Sequence, residues 1–286
     1  MGKLIDHSET KRAFARHPQD AREERRVMDE IVRVERDADI ATVILNRPDK
    51  LNALSKALWQ GVGATMATLS NDASLRCIVL RGAGDRAFSP GADIKEFESE
   101  RANFAQAKAY GTVMHQTMAA IRDCPIPTVA LIKGICVGGG LELAIMCDLR
   151  ICGASSRFGV PINRIGVIMA YPEIDALIDL VGRATALEIL LEGRVFDAQE
   201  AKEKGLVTRV VADDQVETEA YATARRIADG APHSNRLHKQ FARRLLNPHP
   251  LTPAEFDEGF ASANFADYQE GYRAFVEKRQ PRFTGQ

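Results

Sequence analysis

Three consecutive glycines, Gly138, Gly139 and Gly140, stand between an apolar run with strand character, Thr128 to Ile132, and one with helix character, Leu141 to Cys147. A strand that turns straight into a helix constrains the chain to an α/β arrangement. Glycine lets the backbone turn tightly and lets another group approach the main chain closely. The first turn of a helix also carries free N–H groups at the positive end of its dipole. Glu142 falls within that first turn, so a carboxylate stands beside a potential anion site. The triplet therefore serves close packing, anion binding, or both.

A second segment favours the anion site. Phe88-Ser-Pro-Gly-Ala-Asp-Ile-Lys95 follows another apolar strand candidate, Cys77 to Leu80, and a turn, Arg81-Gly-Ala-Gly84. Together the two segments resemble the crotonase family, the enoyl-CoA hydratase/isomerase superfamily. Further segments match in order. Asn46-Arg-Pro-Asp-Lys-Leu-Asn-Ala-Leu54 is similar to the family's first strand and CoA-cradling loop, and Arg157-Phe-Gly-Val-Pro161 to the strand carrying its second catalytic position. Ala198-Gln-Glu-Ala-Lys-Glu-Lys-Gly-Leu-Val207 resembles the helix and turn that end the core, and Ala274-Phe-Val-Glu-Lys-Arg279 the end of the C-terminal helix.

The resemblance implies a site. The N–H groups of Ala92 and Gly139 would form an oxyanion hole for the thioester carbonyl of an acyl-CoA, with Glu142 as acid/base. The chemistry is intelligible by itself, because a carbonyl becoming an enolate needs preorganised donors, and backbone N–H groups reorganise little. The resemblance assigns Arg47, Lys50, Ala53, Asp93, Ile94, Lys95, Gly138, Ile162 and Lys278 to substrate binding. Lys278 aligns with a lysine that reaches the CoA phosphates of a neighbouring subunit. Each cation has an alternative reading as an ordinary solvated charge, and Asp93 one as a brace for its loop. The fold implied is a spiral of ββα units with a C-terminal helical trimerisation region, as a homotrimer or dimer of trimers. No cofactor is implied, since coenzyme A belongs to the substrate.

One position departs from the pattern. Hydratases of the family carry a second glutamate in a Phe-Gly-x-Pro-Glu context, whereas this chain reads Phe158-Gly-Val-Pro-Ile-Asn163, which puts Ile162 there. Hydration of an enoyl-CoA needs one group to activate water and another to deliver a proton, work suited to two carboxyls of different proton affinity. Asn163 cannot act as a general base. Glu173 and Asp175 lie downstream, after Tyr171-Pro172, in a neighbourhood where dienoyl-CoA isomerases of the family carry an acid. An acid just after proline also suits the first turn of a helix for electrostatic reasons alone. His115 lies on a helix-like stretch with no spaced partner for a metal and reads as structural or exposed.

The remainder fits one mixed α/β domain. A chain of 286 residues with 45% hydrophobic and 27% charged residues can bury a sizeable core. A net charge of −1 gives no bulk attraction to nucleic acid or membrane. No apolar run approaches the roughly 20 residues of a membrane span. Five cysteines, 77, 124, 136, 147 and 152, show no metal spacing and suggest reduced thiols in a cytoplasmic setting. Residues 1–28 are charged and acid-containing, which suits a loose tail or an arm on a neighbouring subunit, not a transit peptide. The core is placed at 29–212 and a C-terminal helical region at 213–286.

Local patterns add detail. Val32–Glu35 and Ala41–Leu45 flank a turn and predict a hairpin. Ser55–Leu69 has apolar residues at helical spacing. The strands at 77–80, 128–132 and 149–152, separated by helix-sized segments, predict parallel pairing. Asp197 and Glu200 predict a helix start, and Gly205 its end. The leading functional reading is an acyl-CoA-processing enzyme of the enoyl-CoA hydratase/isomerase type. Decarboxylation or hydrolysis of an acyl-CoA stays open, as does a silent acyl-CoA-binding or scaffold protein, because of Ile162.

Overall fold

The computed structural model describes residues 31–285. Residues 1–28, read above as an extension, lie outside them. Two sheets run side by side. The larger has strand order β1-β2-β3-β5-β7-β10, built from β1 (Val32–Asp37), β2 (Ile40–Leu45), β3 (Cys77–Gly82), β5 (Thr128–Ile132), β7 (Leu149–Gly153) and β10 (Arg209–Val211). The smaller has order β4-β6-β8-β9, from β4 (Ala87–Ser89), β6 (Ile135–Val137), β8 (Arg157–Gly159) and β9 (Phe196–Asp197). From β3 to β8 the strands alternate between the sheets along the chain.

The α-helices of six or more residues among the described residues are, in chain order, α1 (Lys56–Leu69), α2 (Phe104–Arg122), α3 (Gly139–Ile145), α4 (Tyr171–Val181), α5 (Arg183–Glu192), α6 (Ala198–Glu203), α7 (Val216–Ala228), α8 (Pro232–Arg244), α9 (Pro253–Glu258) and α10 (Ala266–Glu277). The ββα unit is explicit in β3-β4-α2, β5-β6-α3 and β7-β8-α4. Each unit adds one strand to each sheet, so the chain advances as a spiral.

Local sequence explains the elements. β1 and β2 pair antiparallel from Val32 opposite Leu45 to Asp37 opposite Ile40, around a turn in which Ala38 takes a positive φ of 52°. The Ser55 side chain caps α1 by accepting from the Leu58 N–H, and Leu58, Val62 and Met66 are buried on its inner face. Asp197 caps α6 by accepting from the Glu200 N–H at 2.9 Å, and Gly205 follows with a φ of 79°. β2, β3, β5 and β7 are parallel neighbours with few exposed residues, as expected for strands covered on both faces. From Asp213 onward the chain is helical apart from connections, and it leaves Phe256, Phe260, Tyr272 and Phe275 exposed.

All five cysteines are buried and unpaired. Burial pushes the Cys77, Cys147 and Cys152 thiols up to about 12, which excludes a ready thiolate nucleophile among them. Among the described residues no helix is long and apolar enough to cross a membrane.

Candidate active site

The two glycine-bearing segments meet at the edge between the small sheet and α3. A single parallel bridge joins Leu54 to Ala92. The Leu54 N–H donates to the Gly91 carbonyl at 2.8 Å, and the Asp93 N–H donates to the Leu54 carbonyl at 2.9 Å. That pattern uses the amides on either side of Ala92 and turns the Ala92 N–H away from Leu54. Gly139 is the first residue of α3, so its N–H has no acceptor within the helix. The two amides are close: a Cβ built on Gly139 would lie 3.7 Å from the Ala92 nitrogen, and one on Gly91 would lie 3.2 Å from the Gly139 nitrogen.

The glycines divide the work. Gly138 has φ 52° and ψ −127°, a conformation closed to ordinary side chains, and it aims the helix start. A Cβ on Gly140 would collide with the Ser89 carbonyl oxygen, so this glycine lets α3 lie directly on β4. The close-packing reading of the triplet holds at Gly140.

A cavity of about 820 Å³ opens in front of the two amides. Ala92, Ile94, Gly138, Gly139, Glu142 and Ile162 all line it. The other residues assigned to substrate binding do not. Arg47 is engaged elsewhere: its guanidinium donates to the Ala53 carbonyl at 2.5 Å and to Asp93 Oδ2 at 2.9 Å. Burial opposes the Asp93 charge, but the Arg47 guanidinium outweighs it and holds the carboxyl below its ordinary value. Asp93 also accepts from the Lys95 N–H at 3.3 Å. Arg47 and Asp93 thus brace the loop that carries Ala92. Asn52, which sequence reasoning passed over, completes the brace by donating to the Ala83 and Ala87 carbonyls at 3.0 and 2.8 Å. Lys50, Lys95 and Lys278 are exposed. Lys278 is the αL cap of α10 and lines no part of this cavity.

The cavity holds two carboxyls, not one. Glu142 reaches it from α3 and Glu173 from the first turn of α4, and each is only 5% exposed. Glu173 Oε2 accepts from the Ala170 N–H at 2.5 Å, the helix-start role expected of it. Its other oxygen, Oε1, lies 2.9 Å from His115 Nε2 on α2. His115 therefore belongs to the cavity wall, against the reading of it as merely structural or exposed. Asp175 is exposed and lines no part of the cavity. Ile162 presents an apolar side chain where hydratases of the family carry acid, and Glu173 brings an acid into the same cavity from α4.

The two carboxyls differ in environment. Glu142 Oε2 is buried with no hydrogen-bond partner among the described residues. Burial, together with the negative charge of Glu173, pushes Glu142 up to about 8, against a smaller opposing pull from Arg101. The surroundings of Glu142 favour its protonated form, while Glu173 is the carboxyl with partners on both oxygens.

A stack of ββα units with two convergent backbone amides above a pair of buried glutamates defines a crotonase-type enzyme. Comparison with known proteins agrees. The family model for enoyl-CoA hydratase/isomerase matches residues 35–286. A Mycobacterium bovis protein called "Probable enoyl-CoA hydratase echA8" is 35% identical, across 89% of this chain and 98% of its own. A crystal structure of an enoyl-CoA hydratase/carnithine racemase from Magnetospirillum magneticum superposes with a TM-score of 0.88 at 52% identity, covering 90% of this chain and 96% of that one. Enoyl-CoA hydratase from Bacillus anthracis gives a TM-score of 0.83 at 32% identity, covering 90% and 100%. The chain belongs to the enoyl-CoA hydratase/isomerase family of the crotonase superfamily.

Proposed function

We propose that the protein hydrates a 2-enoyl-CoA thioester, using Glu142 and Glu173 as its acid/base pair. The observation that carries this reading is that both carboxyls line the same cavity as the Ala92 and Gly139 amides. The thioester oxygen accepts from the two N–H groups. Glu173 takes a proton from water as the water oxygen bonds to the β-carbon. The carbon–carbon π electrons move toward the thioester, and the enolate oxygen is held by the amides. Glu142, protonated at neutral pH, delivers its proton to the α-carbon. The proton gained by Glu173 then returns to Glu142, and the pair is reset. Every proton moved has a side chain to carry it, so the step needs no cofactor beyond the coenzyme A of the substrate.

The pair supports hydration over the decarboxylation, hydrolysis or silent binding that Ile162 leaves open. The test is crotonyl-CoA hydration by Glu142→Gln and Glu173→Gln, each checked for native folding. Each is expected to lose about two to four orders of magnitude in turnover. Undiminished hydration by E173Q would remove Glu173 from the mechanism and return the choice to isomerisation by Glu142 alone.

The exposed aromatic side chains after residue 250 support assembly through the C-terminal helices, as a homotrimer or dimer of trimers. Sedimentation is expected to give the trimer or hexamer mass; a stable monomer at micromolar concentration would contradict it. Five buried, unpaired thiols suit a cytoplasmic protein.

A further inference from the structure

Arg101 is the unusual group in the cavity. Most of the lining near it is apolar, including Ile94, Phe97, Phe104 and Met114. The Arg101 guanidinium lies over two aromatic rings, 4.7 Å from the Phe97 centroid and 4.9 Å from the Tyr110 centroid. Contacts of this kind hold the guanidinium by its faces and leave its N–H edges free. Those edges form no hydrogen bond or ion pair within the described residues, unlike the bound guanidinium of Arg47. Its charge is felt at Glu142, where it opposes the effect of burial. Lys108, on the same wall, adds a second cation with no acceptor among the described residues. The two acids of the cavity are Glu142 and Glu173, and Glu173 is already occupied by His115 and the Ala170 N–H.

We infer that the acyl group taken by this cavity carries a carboxylate at its far end, received by Arg101. The inference rests on the reading of the cavity as an acyl-CoA site. A planar carboxylate matches the free edge of a guanidinium with two parallel hydrogen bonds. A methyl-ended chain would instead leave a fixed, desolvated cation against hydrocarbon, which is unfavourable. The same guanidinium chemistry would also receive the phosphates of coenzyme A, so the test separates the two anions.

Two measurements are made on the intact protein, Arg101→Gln and Arg101→Lys. First, binding of glutaryl-CoA is compared with that of pentanoyl-CoA, which has the same chain length and no terminal charge, alongside free coenzyme A. These saturated esters need no catalysis, so this arm reads the inference even if the hydration mechanism is wrong. Second, kcat/KM is compared for glutaconyl-CoA and 2-pentenoyl-CoA. The unaltered protein is expected to favour the carboxylate-ended ester by about ten- to a hundredfold. R101Q is expected to abolish that preference and R101K to keep part of it, with affinity for free coenzyme A unchanged in both. A preference for pentanoyl-CoA in the unaltered protein would overturn the inference. So would a carboxylate preference that survives R101Q. A loss of free coenzyme A affinity in R101Q equal to the loss for the ester would assign Arg101 to the phosphates instead.

Discussion

Glu173 Oε1 stands 2.9 Å from His115 Nε2, although the two residues are 58 positions apart in the chain. When Glu173 is ionised the imidazole donates through Nε2, and the Ala170 N–H holds the other oxygen. The carboxylate is thus fixed at both ends, while Glu142 beside it in the cavity has an orphaned oxygen. Burial and the neighbouring Glu173 charge raise the proton affinity of Glu142 above that of an ordinary glutamate.

That difference sets a pH dependence. Glu142 is raised from an ordinary 4.5 to about 8, so the proton donor is lost as pH rises through about 8. The kcat/KM for hydration is expected to fall above that pH. The residual activity of Glu142→Gln is expected to lack this alkaline limb. An unchanged limb in the variant would show that another group titrates there.

The same shift reaches stability. Below pH 4.5 folded and unfolded chains both hold the Glu142 proton; between 4.5 and about 8 only the folded chain does. The stabilisation is therefore full at low pH and is lost as pH rises through the folded value, at up to ~1.4 kcal/mol per pH unit. E142Q has no such slope, so its stability relative to the unaltered protein is expected to improve across that window. Parallel stability curves from denaturant titration would contradict the assignment.

His115→Leu would leave Glu173 Oε1 without its partner. A lost charge-assisted hydrogen bond costs about 1.5–3 kcal/mol, so kcat is expected to fall by roughly one to two orders of magnitude. His115→Gln keeps an N–H donor and is expected to recover much of the loss. Equal damage from both changes, or a loss confined to KM, would show that the imidazole does not act by orienting Glu173.

Ile162→Glu would add a third carboxyl to a cavity that already contains two. Like charges in a partly buried site cannot all ionise cheaply. Hydration and thermal stability are both expected to fall. A clear gain in crotonyl-CoA hydration would mean that Glu173 is not the working second acid.

Gly140→Ala would drive a methyl group into the Ser89 carbonyl and push α3 off β4. Overpacking of this kind costs about 1–3 kcal/mol. Because Gly139 and Glu142 sit on the displaced helix, turnover is expected to fall along with the melting temperature. Full activity in a destabilised variant would detach the amide position from the α3–β4 contact.

Much of this protein follows from short-range order in its sequence. The hairpin, the Ser55 and Asp197 caps, the parallel strands and the glycine turn before Glu142 each depend on residues a few positions apart, where backbone geometry and hydrogen bonding act directly. The alternation of strands between two sheets was less visible, because β4, β6, β8 and β9 are only two or three residues long and carry little periodicity. The Arg47–Asp93 pair was not legible, because a cation in a loop gives no sign of which residue 46 positions away it faces. Phe104, Lys108, Gly111 and His115 recur at helical spacing and share the cavity wall, a stripe that could have singled out His115.

The pairing of Glu142 with Glu173 belongs to the tertiary structure. The sequence by itself determined that Glu142 would sit in the first turn of a helix beside exposed amides, and that Glu173 would start another helix. Whether Glu173 served only that helix or also the cavity depended on how α4 packs against α2 and α3. That packing is set by burial of apolar surface across the whole domain, and it is also what removes water from Glu142 and raises its proton affinity.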